Sequence, residues 1–216
     1  MKEFKHLPGL DLIRVFGILV VVFYHYQVET AVRGLCPADF LPAMEPLVQV
    51  AVYTMTLLSG SCLCWQEKSR SWSMKRYLWG RFLAIYPLFW LCFFPIFFYS
   101  DIICGNNEGV APWKLLLSIV GVDGYFQSFT PTFYKIGEWY LGCILFLYAV
   151  FPVLWRMIRR RGVVLAAVGA LFAWLACCFV ENPGQLYPTL IGQLPLFFMG
   201  IFLGGCLPSL WIPGLL

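Results

Sequence analysis

Three ionisable residues stand in an otherwise apolar run near the start of the chain: Asp11, Arg14 and His25, within GLDLIRVFGILVVVFYHY. Each has a chemistry of its own. A guanidinium fork binds phosphate or carboxylate bidentately. A carboxylate three residues away can hold that fork in place. An imidazole titrates near neutrality, which suits a general acid or base. At about 100° per residue, Arg14 and His25 differ by about 20° around a helix axis and Asp11 and His25 by about 40°, so the three share one stripe. Arg14 and His25 are about 16 Å apart along that axis. Ionisable groups at such depth are costly and usually face a bundle interior or a wet cavity. The plainer alternative is that Arg14 snorkels, Asp11 caps it, and His25 is an interfacial residue between Tyr24 and Tyr26.

The elements that must position this stripe are membrane helices. Of 216 residues, 61% are apolar, 19% aromatic and 12% charged; the mean hydropathy is +0.77. A soluble domain carries about twice that share of charge. The abundance of aromatics and the lack of alternating polar runs favour helices over an outer-membrane barrel. The net charge of +4 is clustered between apolar spans, which marks topology and excludes nucleic acid as the partner. The nine cysteines are scattered and form no CxxC pair, so neither a metal site nor a disulfide framework is expected. The first apolar run is too long for a secretory leader, holds Asp11 and Arg14, and lacks a small-x-small cleavage site.

Spans are expected at 10–28, 46–65, 77–99, 138–157, 163–180 and 189–207, each near the required twenty residues. A shorter run, 114–126, ends in GVDGYF and reads as a re-entrant or interfacial half-helix. The expected fold is therefore all-α: one polytopic membrane helix bundle over 1–216, with about six transmembrane helices and one half-helix. Lysines and arginines place the N-terminus in the cytoplasm. Lys2, Lys5, Arg14, Lys68, Arg70, Lys75, Arg76, Arg81, Arg156, Arg159, Arg160 and Arg161 then fall inside, and only Arg33, Lys114 and Lys135 fall at the outer side. The expected location is the cell membrane.

Several segments in order carry a resemblance. Arg14 and His25 in the first helix are followed by TLLSGSCLCW with Ser59-Gly60, RYLWGRFLAIYPLFW with Arg81 and Tyr86-Pro87, GEWYLGCILFLYAVFPVL, and LPLFFMGIFLG. The ordered set resembles the acyltransferase 3 family of integral membrane O-acyltransferases. The resemblance implies transfer of an acyl group, often acetyl, from a cytoplasmic coenzyme A thioester to a hydroxyl of a cell-envelope glycan or related acceptor. Acyl-CoA is then a substrate, and no tightly bound cofactor or metal is expected. The family usually has a second arginine three residues after the first in its third helix; Ala84 stands there. It also has about ten core helices, so a short or truncated member is expected.

On this reading His25 is the candidate base or carrier, and Arg14, held by Asp11, joins Arg81 in clamping the anionic coenzyme A. The pantetheine arm would run along the first-helix stripe toward His25. For Arg81 a positive-inside anchor is the alternative. Glu138 is a second catalytic candidate, able to orient an imidazole or bind a sugar hydroxyl. Trp139 and Tyr140 beside it are substrate contacts or interfacial anchors. Ser59 is a substrate contact or, with Gly60 and Ser61, a site of close helix packing; Gly200 and Gly204 form a GxxxG that reads as packing. Asp123, between Gly121 and Gly124, reads as a turn residue. Two other classes stay open: a transporter or flippase, which also uses intramembrane charge but commonly shows paired halves, and a non-catalytic membrane module. Association of subunits is left open.

Overall fold

The computed structural model describes residues 8–35, 37–68, 73–106, 109–126, 129–157, 169 and 189–210. The described residues are mostly helical, with no strand among them. The helices are α1 (Pro8–Val32), α2 (Leu41–Lys68), α3 (Met74–Phe97), α4 (Leu115–Val120), α5 (Trp139–Met157) and α6 (Leu190–Leu210). Four are long and apolar enough to cross a membrane: α1, α2, α5, and α3 with its extension to Ile103. α6 is apolar over Leu190–Gly205. The expected span 163–180 lies outside the described residues, apart from Gly169. The chain divides into two compact units, Met1–Ser71 with Trp155–Leu216, and Trp72–Leu154.

In the first unit α2 is the common partner of α1 and α6. Lipid tails are as apolar as leucine, so helices associate in a membrane by close packing and hydrogen bonds rather than by the hydrophobic effect. The α2–α6 contact uses both. A methyl group on Gly60 would stand 2.3 Å from the Phe197 carbonyl oxygen, one on Gly200 2.0 Å from that of Leu57, and one on Gly204 2.2 Å from that of Ser61. Only hydrogen fits at these positions. The Ser61 hydroxyl lies 2.8 Å from the Gly200 carbonyl oxygen. The buried Thr56 hydroxyl donates to Gln193 Oε1 at 2.6 Å. The GxxxG of α6 thus packs as its spacing predicts. On the other side of α2, Gly17 of α1 faces Met55, and Val20 of α1 packs with Val48 and Ala51.

The second unit joins α3, α4 and most of α5. Proline at 87 and 95 lies inside α3. After Pro95, which has no N–H, the helix widens into a π-helical segment, Phe98–Ile103. α4 has six residues, about 9 Å of helix, far too short to cross. It is the expected half-helix. It stops at Gly121, whose φ of 80° is left-handed and accessible to glycine without strain. Carbonyls at such an end lack intrahelical partners. Two α3 side chains supply them: Trp90 Nε1–H donates to the Ile119 oxygen at 2.9 Å and the Tyr86 hydroxyl to that of Val120 at 3.0 Å. Against α5 the fit is again made by glycine. A methyl on Gly124 would meet Trp139 Cα at 2.5 Å, and one on Gly142 would meet the Tyr125 ring at 2.9 Å.

Candidate functional site

In the first unit, α1 and α2 bring three polar side chains together. Arg14 Nη1 donates to Asp11 Oδ1 at 3.1 Å, as the i, i+3 spacing predicts, and Nη2 donates to Cys62 Sγ at 2.9 Å. The fork is thus fixed from two helices, one contact within α1 and one across to α2. Its side chain is 38% exposed, so the guanidinium is held but reachable. Ser59 is half-buried. Helical spacing puts it on the α1-facing stripe of α2, between Met55 and Cys62. His25 is exposed on α1, with its ring edge-on to Tyr24 at 5.9 Å. Among the described residues no group orients its imidazole by a hydrogen bond. The helix face that α1 buries runs through Gly17 and Val20, so the Asp11–Arg14–His25 stripe lies along the margin of the α1–α2 contact, inward at Arg14 and outward at His25.

In the second unit, Arg81 lies over the Tyr148 ring of α5, 5.5 Å from its centroid. This is cation–π distance, with a larger energy where water is excluded. Tyr77 fastens the same helix pair by donating to the Tyr148 carbonyl oxygen at 2.7 Å. A small cavity of about 140 Å³ opens here, lined by Tyr77, Arg81, Phe82, Tyr86, Leu145 and Tyr148 among others. Ala84, where a second arginine stands in the resembled motif, is exposed.

The loop before α5 gathers buried acids. Glu138 is 2% exposed, and its two oxygens accept the Lys135 and Ile136 backbone N–H groups, each at 3.2 Å. It therefore shapes the turn that leads into α5, where Gly137 has a φ of 77°. Lys135 reaches the other way, to the buried Asp101 at 2.9 Å and Ser100 Oγ at 3.2 Å. Asp123 is fully buried, and neither oxygen has a well-formed hydrogen bond. Burial pushes its carboxyl above the usual carboxylate range, and the nearby Ser118 hydroxyl and Gly124 amide offset this only in part. Burial raises Glu138 as well; the Lys135 amide pulls it back, and the negative charge of Asp123 adds to the rise. Among the described residues neither acid pairs with a cation. Trp139 and Tyr140 are half-buried and meet edge-on at 5.7 Å.

The sequence placed Asp11 beside Arg14 but gave no sign of Cys62, which reads there as a small apolar residue. It gave Asp123 a turn; the structure adds complete burial. The Asp101–Lys135 pair was also invisible, because 34 positions separate its members. A signal existed only for Glu138, whose place just before an apolar span marks a helix start.

Neither the characterised proteins nor the solved structures with which the chain was compared give a match. The acyltransferase domain family, acyltransferase 3, matches residues 7–207. That span takes in the Arg14–His25 stripe, the Ser59-Gly60 segment, Arg81 and the glycine-packed α6. The chain is a membrane protein belonging to the acyltransferase 3 family.

Proposed function

We propose that the chain transfers an acyl group, acetyl by preference, from acyl-CoA to a hydroxyl of a cell-envelope carbohydrate or related acceptor. Its setting is the cell membrane, with the N-terminus cytoplasmic. The observation that carries this reading is the Arg14 fork, held by Asp11 and Cys62 across two helices, on the same α1 stripe as His25. A fixed, half-exposed guanidinium suits an anionic donor, and an exposed imidazole that no described residue holds by a hydrogen bond is available to an incoming hydroxyl. Arg81 over Tyr148 is the second anion-binding position. In the transfer, the imidazole of His25 accepts the acceptor's O–H proton as the oxygen attacks the thioester carbonyl. The carbon–sulfur bond breaks, and the departing thiolate takes up a proton to leave as coenzyme A. His25 as transient acyl carrier gives the same net reaction. Asp11 positions Arg14. Glu138, bound to the Lys135 and Ile136 amides, positions Trp139 and Tyr140 for the acceptor, and Ser59 lines the α1–α2 stripe on the donor's path.

The test is complementation. A strain lacking the gene receives the full-length gene or its His25→Ala variant, and envelope glycans are analysed for O-acyl groups. Acyl groups restored by the unaltered gene and absent with His25→Ala, at equal membrane insertion, are the expected result. Equal acylation with both genes removes His25 from the chemistry.

A further inference from the structure

At the start of α3, Ser73, Lys75, Arg76 and Trp79 line an open cavity of about 480 Å³. Lys75, Arg76 and Trp79 are all exposed. Ser73 occupies the N-cap position, and its hydroxyl makes no capping bond. The first turn of α3 carries no acid, and the partial positive charge of the helix start adds to that of the two cations. The cavity therefore carries positive charge.

Its second half is apolar. Trp79 stacks on Phe82 at 5.4 Å and 18°, Phe82 meets Tyr86 at 5.1 Å, and Tyr86 meets Trp90 at 5.2 Å. Positions 79, 82, 86 and 90 share one face at helical spacing. A rail of rings thus runs along α3 away from the cavity, beside exposed Leu78 and Leu83. A small soluble anion would use the cavity and leave the rail empty. A ligand that uses both has a negatively charged phosphate at one end and a long hydrocarbon at the other.

We infer that this surface is a binding site for an anionic phospholipid, with the phosphate between Lys75, Arg76 and the Ser73 hydroxyl, and an acyl chain along the Trp79–Phe82–Tyr86–Trp90 rail. The anion-binding end is independent of the acyl-transfer reading, since none of Ser73, Lys75, Arg76 or Trp79 takes part in it; the rail shares Phe82 and Tyr86 with the cavity beside Arg81. Trp79 supplies an amphipathic ring at the headgroup level, where such rings settle. Each basic side chain near a lipid surface contributes enough for the two together to give about thirtyfold preference for an anionic over a zwitterionic headgroup.

The full chain is reconstituted into phosphatidylcholine nanodiscs with trace spin-labelled phosphatidylglycerol or spin-labelled phosphatidylcholine, and the immobilised fraction of each label is read by electron paramagnetic resonance. The expected result is a preference of about thirtyfold for phosphatidylglycerol, lost in the double variant Lys75→Gln/Arg76→Gln and kept in Arg33→Gln, an exposed cation at the end of α1. Because the two altered side chains are exposed, helix content is expected to stay unchanged. Equal immobilisation of both labels by the unaltered chain overturns the proposal, as does full preference in the double variant. Displacement of the bound label by inorganic phosphate at matched ionic strength overturns the lipid assignment in favour of a site for soluble phosphate.

Discussion

The Arg14 guanidinium of α1 lies 2.9 Å from the Cys62 sulfur of α2, while its other amino group holds Asp11 at 3.1 Å. Two contacts in two directions require a planar fork. A lysine ammonium at the same depth is a single point on a flexible stem and cannot reproduce the geometry. Arg14→Lys therefore keeps the charge and loses the orientation. Hydrogen bonds to charged groups contribute about 1.5–3 kcal/mol each, so acyl transfer measured in membranes is expected to fall about ten- to hundredfold at unchanged protein level. Activity equal to that of the unaltered chain would detach the fork from the reaction.

Close packing of α2 on α6 makes a sharper stability prediction. Gly200→Ala puts a methyl 2.0 Å from the Leu57 carbonyl oxygen, and backbone cannot move aside as a side chain would. Overpacking of this kind costs about 1–3 kcal/mol. A lower thermal midpoint in detergent is expected. Gly80→Ala in α3 meets nothing within 4 Å and is expected to be neutral or to raise the midpoint, since alanine is the better helix former.

The half-helix α4 is held at its end by Tyr86 and Trp90. Tyr86→Phe removes one donor and leaves the ring. A lost hydrogen bond of this type costs about 1 kcal/mol. Backbone amides of 115–125 are expected to exchange with deuterium about fivefold faster in the variant, while those of α5 stay unchanged. Equal protection in both proteins would mean that α4 is held by its apolar contacts alone.

Asp123 and Glu138 set a pH dependence. Burial raises both carboxyls above their ordinary range, and for Glu138 the negative charge of Asp123 adds to the rise. A raised carboxyl binds its proton more tightly in the folded chain than in the unfolded one. Its stabilising contribution is complete below the unfolded pKa, about 4, and is lost as pH climbs through the folded value. Lys135 is already paired with Asp101. The thermal midpoint is expected to fall as pH rises from 5 to 8. Asp123→Asn, which cannot ionise, is expected to flatten that slope and to raise the midpoint at pH 8. A slope unchanged by Asp123→Asn would place the titration elsewhere.

Much of this architecture was legible because membrane helices are read from length and composition. A span of twenty apolar residues has few alternatives once every backbone N–H and C=O must be satisfied inside the bilayer, and α1, α2, α3 and α5 stand where their apolar runs do. The half-helix was legible from its shortness and from Gly121 at its end. Small residues at 60, 200 and 204 announced close packing, because only glycine permits it. The partners were not legible. Nothing local distinguishes Cys62, which meets Arg14, from Cys64, which is fully buried. Tyr148 under Arg81 and Asp101 beside Lys135 are likewise contacts between positions far apart in the chain.

The sequence by itself determined which segments are helical, which are apolar enough to cross, and that Asp11 and Arg14 meet, since three residues bring side chains together on any helix. Tertiary structure alone decided the environment of each charge: that Arg14 turns inward to α2 while His25, on nearly the same stripe, stays exposed, and that Asp123 and Glu138 are buried with no cation paired to them among the described residues. Helical periodicity fixes the angle of a side chain about its own axis. Whether that angle faces a neighbour, water or lipid depends on where the next helix packs, and that is set by contacts such as Gly17 on Met55 and Gly124 on Trp139, which no local pattern encodes.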